Sequence, residues 1–144
     1  MRSDEAMVEA LASMPFAEHY LVESTVTDVV AEVLVAVRRD PPIGWLVTLG
    51  FGGVTTELWG DVTHLLAPVT GGDVRAALTK LRSYPLLCGF RGRPAADIDA
   101  LVTLVVTLTE AVVGSSAVEV ELNPVLVGRS GAVAVDALWL EEIT

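Results

Sequence analysis

Glu119-Val-Glu-Leu-Asn-Pro124, followed by Gly131-Ala-Val-Ala-Val-Asp136, is the stretch whose reading decides the fold. It reads as two short apolar strands joined at Gly128-Arg-Ser-Gly131, a turn signal between alternating runs. A two-residue loop at Arg129 and Ser130 places Gly128 across from Gly131, and therefore Asn123 across from Asp136. Directly opposed residues hold their Cβ atoms about 5 Å apart. Alternation along each strand then gathers Glu119, Glu121, Asn123 and Asp136 on one face. Val120, Leu122, Leu126, Val133, Val135 and Trp139 fall on the other, which is the expected core face. The oxygen-rich face has two readings. It is either the wet side of an antiparallel hairpin, or a site for a hard divalent cation such as Mg²⁺, completed by waters and a phosphate. The pattern leaves both open, and a one-residue slip in the loop would dissolve the second.

Outward from that hairpin, 144 residues suffice for one domain with a core. The composition is 52% hydrophobic, yet no run reaches the roughly 18 apolar residues of a membrane span. The longest candidate, 98–114, is interrupted by Asp99, several threonines and Glu110, so it reads as a largely buried helix. A net charge of −10 without a basic stripe excludes nucleic acid as a partner. Polyanionic ligands need local cations or a metal to approach such a chain. The one cysteine, Cys88, rules out an intrachain disulfide, and no signal peptide opens the sequence. A reducing, cytoplasmic setting is the expectation.

From the start, Asp4 to Met14 carries Met7, Leu11 and Met14 at helical spacing and ends at Pro15. Strands are expected at His19 to Val26, Val29 to Arg38, Gly44 to Leu49, Val54 to Leu58 and Val62 to Pro68. Glu32 is the single acid inside the second of these, either on an exposed face or reaching toward a site. Gly50-Phe-Gly-Gly53 lies between strands, so it is neither a P-loop nor a dinucleotide fingerprint; it is a turn or a place where backbone approaches a ligand. His64 reads as a satisfied core or surface histidine. A helix follows from Gly71 to about Ser83, with Val74, Leu78 and Leu81 on its buried stripe. Tyr84 to Gly89 reads as irregular, Cys88 as a small buried residue, and Phe90-Arg-Gly-Arg-Pro94 as a loop offering two arginine forks. A long helix then runs from Asp97 to about Val113, with Leu101, Leu104, Val105, Leu108 and Val112 on its apolar face. The class is α+β: a largely antiparallel sheet covered by two long helices.

Several segments now stand in a recognisable order: Val35-Ala-Val-Arg-Arg-Asp-Pro41, Gly50-Phe-Gly-Gly53, Glu57 with Asp61, Tyr84 through Arg91-Gly-Arg-Pro94, Glu121-Leu-Asn-Pro124, and Val135-Asp136-Ala137. Over about residues 19 to 140 the chain resembles the ATP-grasp domain of NDP-forming acyl-CoA synthetases, the relatives of ADP-forming acetate–CoA ligase and succinyl-CoA synthetase β subunits. The resemblance implies thioester formation coupled to a nucleotide: acid, CoA and ATP give acyl-CoA, ADP and phosphate, with a phosphohistidine as carrier. It implies that Asn123 and Asp136 hold Mg²⁺ on the phosphates of ATP or ADP, with Glu121 beside them. Glu32, Asp40, Gly52, Gly53, Glu57 and Arg91 match positions that the family keeps. Of these, Gly52, Gly53 and Arg91 are expected to face phosphates or an incoming phosphohistidine loop, with Arg91 as the catalytic cation.

The departures carry as much weight. The family's lysine-bearing lobe with its glycine-rich lid belongs ahead of residue 19, where this sequence has eighteen residues. The expected organisation is therefore a lead-in with a helix over 1–18 and the C-terminal part of an ATP-grasp domain over 19–144. Neither His19 nor His64 matches the phosphocarrier. Ser24 stands where an acid is expected, Ala36 where glycine is, and Trp45 where proline is. Two functions compete: the nucleotide- and Mg²⁺-binding lobe of a synthetase, inactive alone, and a non-catalytic binding or regulatory module. The retained Asn123 and Asp136 favour the first; the short N-terminal segment and Ser24 favour the second. Expected partners are nucleotide, the remaining synthetase domains or subunit, and a second copy of the chain.

Overall fold

The computed structural model describes residues 4–52 and 60–142. The expected strand from Val54 to Leu58, with Gly53 and Glu57, lies outside the described residues. Among those described, the elements are α1 (Asp4–Ser13), β1 (Ala31–Asp40), β2 (Gly44–Phe51), β3 (Val62–Leu66), α2 (Gly71–Leu78), α3 (Tyr84–Leu87), a 3₁₀ turn (Phe90–Gly92), α4 (Ile98–Val113), β4 (Ala117–Val127), β5 (Ala132–Ala134) and β6 (Ala137–Glu141). The strands form one antiparallel sheet in the order β3-β2-β1-β4-β5, with β6 also on β4. The α+β architecture is as the sequence indicates.

The sheet has one dry face. Val33, Val35 and Val37 of β1 alternate inward and are fully buried, as are Val47 and Leu49 of β2. Helices α2 and α4 cover them with Val74, Leu78, Leu101, Val105 and Val112. Burying each such side chain contributes about 1.5–3 kcal/mol before chain entropy is counted. Both helix starts are capped. Thr70 and Asp73 form a reciprocal capping box at α2, and the Asp97 carboxylate accepts the Ala100 N–H at α4. Asp97 also donates its own N–H to the Gly128 carbonyl, tying α4 to the tip of the β4–β5 hairpin (2.8 Å). Thr109, buried among apolar residues, satisfies its hydroxyl on the Val105 carbonyl.

Four expectations are corrected. His19 to Val26 is irregular and exposed, so apolar residues alone do not make it a strand. The first helix over the sheet, α2, is short, ending at Leu78 in turns that carry Leu81 into the core. Tyr84–Leu87 is a helical turn with proline at its start, not an irregular stretch. Cys88 ends that turn and is exposed; its thiol meets the Tyr84 hydroxyl, a hydrogen bond that holds the phenol above its ordinary pKa.

Candidate functional site

The hairpin register is the expected one. Val127 pairs with Ala132, Leu126 with Val133 and Val125 with Ala134, and the Gly128 N–H bonds to the Gly131 carbonyl. The same register continues into β6, where Glu121 opposes Leu138 and Val120 opposes Trp139. Asn123 and Asp136 therefore face each other, and the Asn123 N–H donates to the Asp136 carbonyl at 3.3 Å.

The division of faces is only half as expected. Along β4, Val120 and Leu122 face the helices, but so do Val125 and Val127. One extra residue is inserted at Asn123–Pro124, where the register with β1 shifts. Proline has no N–H to give the ladder, and a bulge accommodates it. Beyond the bulge the alternation inverts. Leu126 and its partner Val133 consequently lie on the outer face, not in the core. Trp139 keeps the helix side but sits on the edge strand and is 46% exposed, and Val135 is also exposed.

The candidate oxygen donors sit beside the bulge. Asn123 and Asp136 are exposed, and Glu121 is half-buried. The Asn123 Nδ2 donates to Glu121 Oε1 at 3.1 Å. That bond fixes the amide plane and leaves Asn123 Oδ1, the better cation ligand, available. Asp136 Oδ1 accepts the Ala137 N–H, which orients its carboxylate. Among the described residues there is no cluster of three or more His, Cys, Asp or Glu arranged as a metal cage. An amide and carboxylates on an open face suit Mg²⁺, which keeps several waters and binds through one or two carboxylates plus substrate phosphates.

Around these side chains the outer face has a definite layout. Glu121 opposes Ala36 of β1, Ala36 opposes Thr48 of β2, and Thr48 opposes His64 of β3. Thr48 Oγ1 and His64 Nδ1 are 3.0 Å apart, so His64 is the satisfied surface histidine. Arg38 opposes Glu119 and also pairs with Asp40. Only the sheet register places the Thr48–His64 pair and Arg38 on this face. Toward the hairpin tip, a cavity of about 270 Å³ is lined by Val26, Leu126 and Val133, with Asp28 and Ser130 at its polar side. The Arg129 guanidinium and N–H both bond the Asp28 carboxylate and hold its pKa below the ordinary range.

Of the residues matching the ATP-grasp pattern, Glu121, Asn123 and Asp136 thus meet at one bulge, and relatives sharing the pattern can be set beside it. The profile of the ATP-grasp domain family matches residues 5–139. The chain belongs to the ATP-grasp family. Its match begins inside α1, ahead of the segment the sequence motifs cover. It is 39% identical over 110 residues to the β subunit of ADP-forming acetate–CoA ligase II from Pyrococcus furiosus, covering 74% of this chain and 47% of that one. It is 38% identical over 114 residues to a prokaryotic trans-feruloyl-CoA synthase, covering 77% of this chain and 16% of that protein. Among solved structures it resembles the acetyl-CoA synthetase 1 of Candidatus Korarchaeum cryptofilum bound to coenzyme A and Mg-AMPPCP, at TM-score 0.75 and 33% identity over 78% of this chain and 53% of that one. The apo form of that enzyme aligns with 99% of this chain and 69% of its own at TM-score 0.78 and 28% identity. This ATP-grasp chain spans about half the length of the acetate–CoA ligase β subunits it matches.

The other ATP-grasp positions are spread more widely. Glu32 is exposed on the outer face of β1, opposite Leu126. The Gly52 N–H donates to the Glu32 carbonyl at 2.7 Å, and a Cβ on Gly52 would meet Glu32 Cβ at 3.2 Å. Close approach to β1 accounts for that glycine. Arg91 is exposed in the 3₁₀ turn, with φ +53°, and its guanidinium lies 5.4 Å from the Phe90 ring centroid. Among the described residues no hydrogen bond or ion pair joins Arg91 to Glu121, Asn123 or Asp136.

Proposed function

We propose that this chain is the nucleotide- and Mg²⁺-binding lobe of an ADP-forming acyl-CoA synthetase, which converts acid, CoA and ATP to acyl-CoA, ADP and phosphate. The observation that carries the reading is the Asn123 amide, held by Glu121 and set against Asp136 at the bulge. Asn123 Oδ1 and the Asp136 carboxylate would hold the ion, and Glu121 would keep Asn123 aligned as an outer ligand. When bound, Mg²⁺ supplies charge neutralisation for the phosphate oxygens during phosphoryl transfer. The apolar slot between Val26, Leu126 and Val133 suits the flat base of the nucleotide. Glu32, Gly52, Gly53 and Glu57 belong to the nucleotide side of the reading, and Arg91 is the cation offered to a transferring phosphoryl group. The setting is cytoplasmic; among the described residues no helix is long and apolar enough to cross a membrane.

The same open face argues that the chain on its own turns over no acid. Asn123 and Asp136 are exposed to solvent, whereas phosphoryl transfer to anything other than water needs a closed site. A second reading, a non-catalytic nucleotide-responsive module, draws on Ser24 in place of the family's acid. Calorimetry separates the outcomes. Wild type is expected to bind ADP in a Mg²⁺-dependent manner, and Asn123→Ala or Asp136→Ala to weaken binding at least about tenfold, the value of one lost charge-assisted contact. Absence of binding up to millimolar nucleotide in wild type sinks the proposal. Acyl-CoA formation by the pure chain would overturn the claim of inactivity, and intact binding with no turnover even beside complementary synthetase parts would favour the regulatory module.

A further inference from the structure

We propose that Asp28 and Arg129 are positioning residues for the nucleotide base: their contact fixes Val26 as a wall of the apolar slot at the hairpin tip. The inference rests on the assignment of that slot to the base. The slot has one firm side and one that needs a hold. Leu126 and Val133 are cross-strand partners in the β4–β5 ladder, so the sheet itself fixes them. Val26 comes from the irregular lead-in and stands outside any helix or strand. A base in the slot touches apolar side chains from both parts, so its grip depends on the lead-in staying against the tip.

Asp28, two residues after Val26, supplies that hold. Its Oδ1 accepts the Arg129 Nε–H at 2.7 Å, and its Oδ2 accepts the Arg129 backbone N–H at 3.2 Å. One carboxylate thus takes both groups of a residue 101 positions away, a charge-assisted pair with a set direction. The Asp28 carbonyl oxygen lies against Gly128, where a Cβ would stand 2.4 Å from it. Just beyond, the Val30 N–H bonds the Val127 carbonyl at 2.9 Å. These contacts press residues 28–30 onto the hairpin, and Asp28 is the one of them nearest to Val26 in the chain. Arg129 has a second conceivable role, as a cation for the nucleotide phosphates. Its Nε is already spent on Asp28, whose charge matches its own. The pair therefore acts on the base through Val26 and not on the phosphates through charge.

A double-mutant cycle read by calorimetry with Mg-ADP and with Mg-pyrophosphate tests this. Val26→Ala removes the wall and should weaken Mg-ADP binding. Arg129→Ala should weaken it about three- to fivefold, the range that an exposed charge-assisted bond supports by keeping the slot formed. On the Val26→Ala background the same Arg129→Ala change should have almost no effect, because no wall is left to position. Pyrophosphate, which has no base, should bind all four proteins alike. A folded Arg129→Ala that binds Mg-ADP as wild type does overturns the inference. So does an Arg129→Ala loss that is as large on the Val26→Ala background, or a matching loss for pyrophosphate, either of which makes Arg129 a phosphate cation. Should pyrophosphate bind too weakly to measure, the cycle with Mg-ADP decides alone. Should Arg129→Ala fail to fold, Asp28→Asn, which keeps the side chain's size, takes its place in the cycle. The underlying assignments fail differently: wild type then binds no Mg-ADP, or Val26→Ala binds it undiminished.

Discussion

Replacing Gly128 with alanine would strain the point where three parts of the chain meet. Its N–H closes the hairpin onto Gly131, its carbonyl receives the Asp97 N–H, and its Cα lies against the Asp28 backbone. A Cβ built there sits 2.4 Å from the Asp28 carbonyl oxygen, so at least 0.6 Å must be recovered to reach 3.0 Å. Asp28 cannot simply withdraw. Its carboxylate is bonded to Arg129, and the nearby Val30 N–H is bonded to the Val127 carbonyl at 2.9 Å. Overpacking costs about 1–3 kcal/mol, and weakening one of those bonds adds about 0.5–1.5 kcal/mol. A total of about 2–3 kcal/mol is expected, or roughly 6–10 °C in Tm for a domain of this size. Urea unfolding followed by far-UV circular dichroism at constant m reads it directly. Gly92→Ala is the control: its φ is +78° and nothing lies within 4 Å, so only the left-handed backbone is charged, about 1 kcal/mol. A Gly128→Ala protein within 0.5 kcal/mol of wild type, or more stable than Gly92→Ala, would refute the reasoning about close approach.

Two further outcomes concern carboxylates. Asp61 accepts the Arg82 and Ser83 N–H groups at 2.9 and 2.8 Å, so Asp61→Ala leaves two turn amides unbonded and should cost about 1–3 kcal/mol in the same unfolding assay; an unchanged midpoint would mean that water replaces it freely. Stability should also fall as pH drops below about 4, because four carboxyls have folded-state pKa values below their ordinary ones. Hydrogen bonds from Arg129 lower Asp28, and those from Thr70 lower Asp73. Partial burial raises Asp61, but the Ser83 and Arg82 bonds outweigh it, while Ser116 and Trp139 lower Glu141. A depressed carboxyl stabilises the fold above its unfolded pKa and loses that contribution as pH falls through the folded one. Thermal melts between pH 7 and pH 3 check the sign; a Tm that rises on acidification would contradict it.

The core and the hairpin register were legible in the sequence because both follow from local chemistry. Val33, Val35 and Val37 alternate on a strand period, and Gly128 to Gly131 sets the turn that aligns Asn123 with Asp136. The α4 start was legible from Asp97, whose carboxylate does cap the helix. What was lost depended on distant parts of the chain. Simple alternation puts Leu126 and Val133 in the core because it has no way to register a bulge, for which Pro124 is the local clue. Residues 19–26 have strand composition, but a strand is defined by a neighbour that short-range patterns do not supply. Residue type alone buries Cys88, while its exposure is set by the helical turn that ends on it. The Thr48–His64 pair needs the β2–β3 register, since the two are sixteen residues apart.

Arg91 adopts a left-handed backbone that glycine accepts without penalty and arginine does not, by about 1–2 kcal/mol. Gly89 and Gly92, on either side, occupy the same half of conformational space with no side chain to object. A selection for thermal robustness alone would therefore drift Arg91 toward glycine. The guanidinium it would discard is exposed, stacked on Phe90 and tied into no ion pair among the described residues. Arg91 thus marks a place where this chain trades folding free energy for a free positive charge, and screens for stability and for function should pull that codon in opposite directions.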